Sequence, residues 1–409
     1  MDETLRKPHA VVFNIGCKSN QYDCDLLTSE LIKRGYSVSD KLETADIYIT
    51  NTCAVTSTAE SKSRQIITRI RKLNPSAQIY VFGCASVKNK DFYEQRNLTF
   101  VGGIDYVEIL KALDSNKSKQ TNSILVPSSL RTRTYVKIQD GCDNFCSYCI
   151  ISRLRGKPRS KPISQATDEI IKVSQKSSEI VITGINLSLY GIDTCESLAG
   201  LIENISEVNS RIRLSSFYPN GVNKELLDAL FSLKNFSPHF HLSLQHGDSK
   251  ILKDMNRGYT ADDYQRKVNL IREYDKNAAI TTDIIVGYPT EDDNAFAKSY
   301  DFANSIGFSD IHIFPFSPRP GTPACLLQKL PGDILELRVK KMTALKNDLK
   351  TNYLLANLNI PQNVIFEKQG EISEGYSQYY IRIYADTVQK NGMVMPCELY
   401  KNGLIGDII

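Results

Sequence analysis

The chain has 409 residues, is 41% hydrophobic and 23% charged, and carries a formal net charge of +4. That length is ample for two or three domains, and the charge excludes a chain-wide polycation without demanding or excluding a nucleic-acid partner. Ten scattered cysteines do not look like a secreted disulfide framework, the first residues show no charged-then-apolar segment, and no apolar run is long enough to span a bilayer; a cytoplasmic, reducing setting is expected.

Residues 1–125 repeat one pattern three times: an apolar strand, a cysteine, then a helix or polar turn. Ala10 to Gly16 runs into Cys17, followed by a helix with Leu26, Leu27, Leu31 and Ile32 on one face. Asp46 to Thr52 runs into Cys53, followed by a helix carrying Ile66, Ile67, Ile70 and Leu73. Gln78 to Gly83 runs into Cys84. Short strands alternating with amphipathic helices predict an open parallel α/β sheet, and such sheets bind ligands beyond the carboxyl ends of their strands. All three cysteines therefore fall on one sheet edge, where they read either as an iron–sulfur site or as three buried core thiols. Cys24, one turn into the first helix, reads as incidental. Lys62, Arg64, Arg69, Arg71 and Lys72 make the second helix basic, which is usually a solvated face and more weakly an RNA-facing one.

A polar stretch, 116–129, reads as a linker into a second region, 130–355. There the strand-like run Tyr135 to Gln139 leads into Gly141-Cys142-Asp143-Asn144-Phe145-Cys146-Ser147-Tyr148-Cys149. This is C-x3-C-x2-C, three thiolates in one tight loop. Closed zinc sites and ordinary iron–sulfur carriers use four ligands. Three point to a [4Fe–4S] cube with one iron open to a substrate or cofactor; the plainer alternatives are a zinc knuckle with a distant fourth ligand, or unrelated cysteines. Further strand-like runs follow at Glu179–Thr183, Arg211–Ser215, Phe240–Leu244, Ile280–Val286 and Asp310–Phe316, separated by helical stretches. Six such units predict a parallel barrel or partial barrel, with its site in the loops at the carboxyl ends. Arg153, Arg155, Lys157, Arg159 and Lys161 form an alternating basic run suited either to phosphates or to plain solvation.

After a long helix, Ile334–Leu355, residues 356–409 change character. Val364 to Phe366, Tyr379 to Tyr384 and Leu404 to Ile405 read as short strands of a small β-barrel. Aromatics near Arg382 and Lys390 suit stacking on RNA, and a structural hairpin cap is the plain alternative.

The C-x3-C-x2-C loop, with Tyr148 before its last cysteine, resembles the signature of the radical S-adenosylmethionine (SAM) superfamily. Gly16-Cys17-Lys18-Ser19-Asn20-Gln21-Tyr22-Asp23, Asn51-Thr52-Cys53-Ala54-Val55 and Gly83-Cys84-Ala85 resemble the methylthiotransferases within it. Thr183-Gly184-Ile185-Asn186 is similar to the branch acting on threonylcarbamoyladenosine in tRNA. The resemblance implies two [4Fe–4S] clusters, one on Cys142, Cys146 and Cys149, and an auxiliary one on Cys17, Cys53 and Cys84. It implies SAM bound near Tyr148, Gly184, Asn186, Ser243, Gln245, Asp283, Val286 and Gly287. It implies RNA contacts at Arg155, Arg159, Tyr379 and Arg382, the last two in a TRAM-like tail. The expected reaction replaces C–H by C–SCH3 at position 2 of the adenine beside the anticodon. A first SAM methylates sulfur at the auxiliary cluster, and a second is cleaved to give the radical. The partners implied are the tRNA anticodon loop and a reductant such as flavodoxin or ferredoxin, with no membrane and no DNA. Two rival readings stand beside this. One is methylthiolation of isopentenyladenosine tRNA or of a ribosomal protein; the other is a non-catalytic iron–sulfur RNA-binding protein. His246, after the fourth barrel strand, is expected to face solvent.

Overall fold

A computed structural model describes residues 7–114, 127 and 132–409. The first unit is a five-stranded parallel sheet: β1 (His9–Asn14), β2 (Ser37–Ser39), β3 (Ile47–Thr52), β4 (Gln78–Gly83) and β5 (Phe100–Val101), in the order β2-β1-β3-β4-β5. β2 and β5 are too short to leave a periodic pattern, and the sequence reading misses both. Cys53 and Cys84 directly follow β3 and β4, and Cys17 follows β1 by three residues. The expected edge therefore forms.

Helix α1 (Lys18–Lys33) departs from the amphipathic pattern. Leu26, Leu27 and Leu31 are buried as expected while Ile32 is 46% exposed, yet polar Ser19 to Asp25 are buried too. The cause is tertiary: α1 lies between its own sheet and the central unit, and its polar face meets polar partners. Lys137 Nζ reaches Asp23 at 2.6 Å, and Lys161 Nζ donates to the Tyr22 hydroxyl at 2.9 Å. Helix α2 (Ser57–Leu73) starts at Thr56, whose side chain accepts from the Ala59 N–H, and it buries Ile66, Ile67 and Ile70.

The central unit has six parallel strands: β6 (Arg133–Asp140), β8 (Glu179–Gly184), β9 (Arg211–Leu214), β10 (His239–His241), β11 (Ala279–Val286) and β12 (Asp310–Pro315). The short β7 (Arg159–Ser160) adds antiparallel to β6. β7-β6-β8-β9 and β10-β11-β12 form two sheets, bridged at Ile212–Phe236 and Phe217–Leu242. The result is the expected open half-barrel. Alternate residues such as Val136, Ile138, Ile180, Ile182, Ile280 and Ile284 pack outward against the helices. The opposite positions, including Lys137, Thr183, Arg213 and Asp283, therefore point into the lumen.

The helix Gly332–Leu355 leads into a closed barrel of β13 (Gln362–Lys368), β14 (Ser373–Ser377), β15 (Arg382–Ala385), β16 (Asn391–Tyr400) and β17 (Gly403–Ile408). The polar β14 carries little apolar signal, and Pro396 with a register shift interrupts β16; both escape the sequence reading. The run Tyr379–Tyr384 is also shorter as a strand than expected, because Tyr380 turns with φ +62° before β15 begins. Among the described residues no helix is long and apolar enough to cross a membrane.

Candidate functional site

The loop after β6 turns at Gly141, where φ is +76° and an added Cβ would lie 2.1 Å from the Lys157 carbonyl oxygen. The Cys142 N–H donates to the Gly156 carbonyl, closing the loop on itself. Any side chain at 141 must both strain the backbone and push that carbonyl away. Gly141→Ala is therefore expected to cost about 1–3 kcal/mol or more and to lower iron retained per chain after anaerobic reconstitution, read by iron assay and thermal melting. Gly83 does the same for the other edge: with φ +105°, a Cβ there would meet the Asn51 side chain at 2.4 Å and the Thr52 carbonyl at 2.5 Å. That approach brings Cys84 beside the strand end that carries Cys53.

Each trio of thiols converges. Cys17, Cys53 and Cys84 act electrostatically on one another, as do Cys142, Cys146 and Cys149. Burial pushes the Cys53 and Cys149 thiols up to about 11 and raises Cys84 and Cys142 as well. Apolar enclosure of this kind holds a thiol protonated until a metal or a cation compensates. Neither trio closes to single-ion spacing, since among the described residues only His241, Asp283 and His312 hold ligand atoms within 4.8 Å of one another. Three thiols brought together at the end of a strand are a donor set suited to an iron–sulfur group. Cys24 belongs to neither trio. It is buried with Ala10 and Val12 on one face of the sheet, whereas Cys84 packs with Val11 on the other.

One arginine reaches into each trio, and the sequence reading misses the function of both. Arg257 Nη1 donates to Cys146 Sγ at 3.5 Å and to the Tyr148 hydroxyl at 3.3 Å, and its guanidinium lies 3.7 Å from the Tyr218 ring centroid. Its Nη2 donates to the Ser243 carbonyl, so Ser243 offers its backbone to protein. Arg155, expected on a phosphate-facing loop, is 4% exposed. Its Nε donates to Cys84 Sγ at 3.4 Å, its Nη1 to Asp140 at 2.9 Å, and its Nη2 to the Asn20 side chain at 2.6 Å. This corrects the expectation: the loop folds under α1, and all three nitrogens are committed. A cationic N–H on a ligand sulfur favours the thiolate, the form that binds iron. Against burial, which raises it, Lys137 and Arg155 pull the Asp140 carboxyl well below its ordinary value. Arg153, Lys157 and Arg159 remain exposed on the rim.

The other expected contacts fall at different depths. Asn186 donates its backbone N–H to the Gln139 side chain, which also lies against Gly184, and its side chain faces Cys142. Gln245 takes φ +74° and donates its N–H to the Asp283 carbonyl, so it extends the pairing of β10 with β11 at the carboxyl ends of those strands. Val286 points outward into the core, and an added Cβ at Gly287 would meet Leu335 at 2.4 Å; their side-chain faces meet protein. The Asp283 carboxylate lies 3.3 Å from both His241 and His312 in the lumen. His246 corrects another expectation, being fully buried. Its Nδ1 accepts the Asp248 N–H, which leaves Nε2–H to donate to Glu291 at 3.1 Å. Arg338 completes that anchor by pairing with Glu291 at 2.6 Å.

In the tail, Arg382 is paired with Glu374 and donates to the Tyr376 hydroxyl, while Tyr379 packs on the barrel's own core. Both side chains are engaged by protein and stay partly exposed. Tyr376 and Tyr380 stack on each other at 4.7 Å and face the half-barrel, with Arg133 over Tyr376 at 4.5 Å and Arg213 over Tyr380 at 4.2 Å. The tail thus closes the amino-terminal end of the lumen, opposite the cysteine loop. Lys18 is exposed to solvent, yet protein crowds it. That enclosure first, and then Arg213 and Arg133, pulls its ammonium from 10.5 down to about 8.

The Radical SAM superfamily matches residues 136–303, and a family described as Uncharacterized protein family UPF0004 matches residues 9–102. A relative from Thermotoga maritima named "Threonylcarbamoyladenosine tRNA methylthiotransferase MtaB" is 37% identical, covering 90% of this chain and 89% of its own. One of the same name from Aquifex aeolicus is 34% identical over 88% and 94%. The chain belongs to the radical SAM methylthiotransferase family. A relative of another name is also similar: a "tRNA-2-methylthio-N(6)-dimethylallyladenosine synthase" from Chloroherpeton thalassium is 29% identical over 90% and 87%. The fold of this methylthiotransferase is similar to that of the radical SAM methyltransferase TsrM from Kitasatospora setae, with a TM-score of 0.56, 15% identity, and coverage of 78% and 77%. For this methylthiotransferase, the Radical SAM match implies SAM and a [4Fe–4S] group, which Cys142, Cys146 and Cys149 would hold.

Proposed function

We propose that this enzyme replaces the hydrogen at position 2 of N6-threonylcarbamoyladenosine, beside the anticodon of tRNA, with a methylthio group. The observation that carries the reading is Arg155, which spans from Cys84 Sγ to Asp140, two residues before Cys142. Both thiol trios thereby border one interdomain seam, as a reaction joining a sulfur donor to a carbon radical requires. When bound, two [4Fe–4S] clusters and SAM supply that radical and the transferable sulfur. A ring C–H of this kind is not acidic, so no side-chain base is needed for it.

The chain's own residues bind and exclude. The half-barrel wall and α1 keep bulk water from the reacting carbon, which matters because a free radical attacks whatever is near. Phe145, 60% exposed in the cysteine loop with φ +46°, offers a ring at the mouth against which a base could stack. Arg153, Lys157 and Arg159 on the rim meet the phosphates, and the base leaves the loop stack to enter. A small electron-transfer protein such as flavodoxin or ferredoxin supplies electrons, in the cytoplasm.

Nucleoside mass spectrometry of tRNA from a strain lacking the gene, with and without its restoration, tests this. The methylthio form of threonylcarbamoyladenosine is expected to vanish and return. Loss of the methylthio form of isopentenyladenosine instead moves the substrate to the other branch, and no change in either overturns the reading.

A further inference from the structure

The lumen carries polar groups that the fold leaves unmatched. Arg213 is 2% exposed; its Nε and Nη2 donate to Glu179 at 2.8 and 3.3 Å, and its Nη1 has no partner. The register pairs Val181 with Arg213, so Thr183 and Ser215 lie side by side at the next inward position toward the mouth. Their hydroxyls, on residues 1% and 2% exposed, are also unpartnered. Tyr380 forms the floor, 4.2 Å from the Arg213 guanidinium. Lys18 enters the same space from α1, close enough for Arg213 to act on its charge, and forms no ion pair among the described residues.

Charge counting gives the sign of this place. Glu179 is shared by Arg133, Arg211 and Arg213, and Arg133 also reaches Glu367. Three guanidinium groups and Lys18 face three carboxylates, Glu179, Glu367 and Asp283, which leaves one positive charge in excess. Buried polar groups in folded proteins almost always have partners, and a bare cationic N–H is the costliest to leave without one. The excess positive charge opposes a divalent ion at the nearby His241, Asp283 and His312. It also offers nothing to an apolar dimethylallyl group, whereas a threonyl group brings a carboxylate and a hydroxyl.

We propose that Arg213 and Lys18 bind the carboxylate of an amino-acid group carried on the substrate base, with Ser215 and Thr183 placed for its hydroxyl. This rests on the threonylcarbamoyladenosine reading above. It makes Lys18 and Arg213 specificity residues, distinct from the thiols that serve the chemistry.

The test measures binding of the full-length, anaerobically reconstituted protein to two labelled anticodon stem-loops. One carries threonylcarbamoyladenosine, and the other carries the same base with its carboxylate converted to a carboxamide. The wild type is expected to bind the carboxylate form at least about tenfold tighter. Lys18→Met should bring the two within about twofold, and Lys18→Arg should restore most of the preference, because a charge and not a shape is being read. Equal wild-type affinity for the two stem-loops overturns the proposal, whatever the variants do. Mass spectrometry of the same RNAs after turnover separates the two failures. Methylthiolation without a carboxylate preference removes only the subsite. A carboxylate preference without methylthiolation removes the reaction assignment and leaves the subsite standing.

Discussion

Cys146→Ala is expected to end release of 5′-deoxyadenosine from SAM, while Cys53→Ala keeps a measurable part of it and forms no methylthiolated RNA. The two thiols belong to different folded units. Cys146 sits in the loop after β6, held by Arg257 and Tyr218, and Cys53 sits at the end of β3, where Ser63 Oγ accepts its N–H. Losing one leaves the backbone of the other unit intact, since each loop is fixed by its own glycine and its own hydrogen bonds. Each variant should therefore hold about half the iron of the parent, because three-ligand sites tolerate the loss of a ligand poorly. The measurements are iron and sulfide per chain after anaerobic reconstitution, 5′-deoxyadenosine by chromatography, and product by nucleoside mass spectrometry. Iron content equal to the parent in both variants, or SAM cleavage lost as fully in Cys53→Ala as in Cys146→Ala, would remove the assignment of two separate trios.

What could be read beforehand divides along a physical line. Cys17, Cys53 and Cys84 were legible as one edge because each follows an apolar strand, and parallel sheets put all such strand ends on one side. The six barrel strands were legible for the same reason. Arg155 was not, because a basic residue beside a glycine in an alternating basic run looks like surface. Only the packing of α1 shows that its partners, Asn20 and Cys84, come from 135 and 71 residues away. His246 failed similarly: nothing local announces that Glu291, itself paired with Arg338, reaches it. The polar half of α1 read as solvated because periodicity reports apolar contact and is silent about buried ion pairs. The unmatched Arg213 Nη1 could have been found by no motif, since it is defined by what does not reach it.

Glu179→Gln is expected to lower stability by roughly 3–5 kcal/mol, the range seen when one member of a buried ionic group is removed. Glu179 is 1% exposed and takes Arg213 Nε at 2.8 Å, Arg133 Nε at 3.4 Å and Arg211 Nη1 at 3.6 Å. Those arginines also hold the tail: Arg211 donates to the carbonyls of Tyr376 and Asn363, and Arg133 pairs with Glu367. Without the central carboxylate, three buried cations repel one another, and the cheapest relief is to let the tail barrel swing away and admit water. The tail should then become the first region cut by limited proteolysis, at the 356–362 junction, before the sheets open. The pH dependence follows from the same group. Against burial, which raises it, the three arginines hold the Glu179 carboxyl below its ordinary 4.5. A depressed folded pKa means this stabilisation is complete above about 4.5 and drains away as pH falls through the lower folded value. The parent should therefore lose stability in acid more steeply than Glu179→Gln, which has no such proton to take up. Thermal melts of both proteins between neutral and acid pH read this directly. Parallel curves, or a tail cut no earlier in the variant, would show that Glu179 does not tie the lumen floor to the tail.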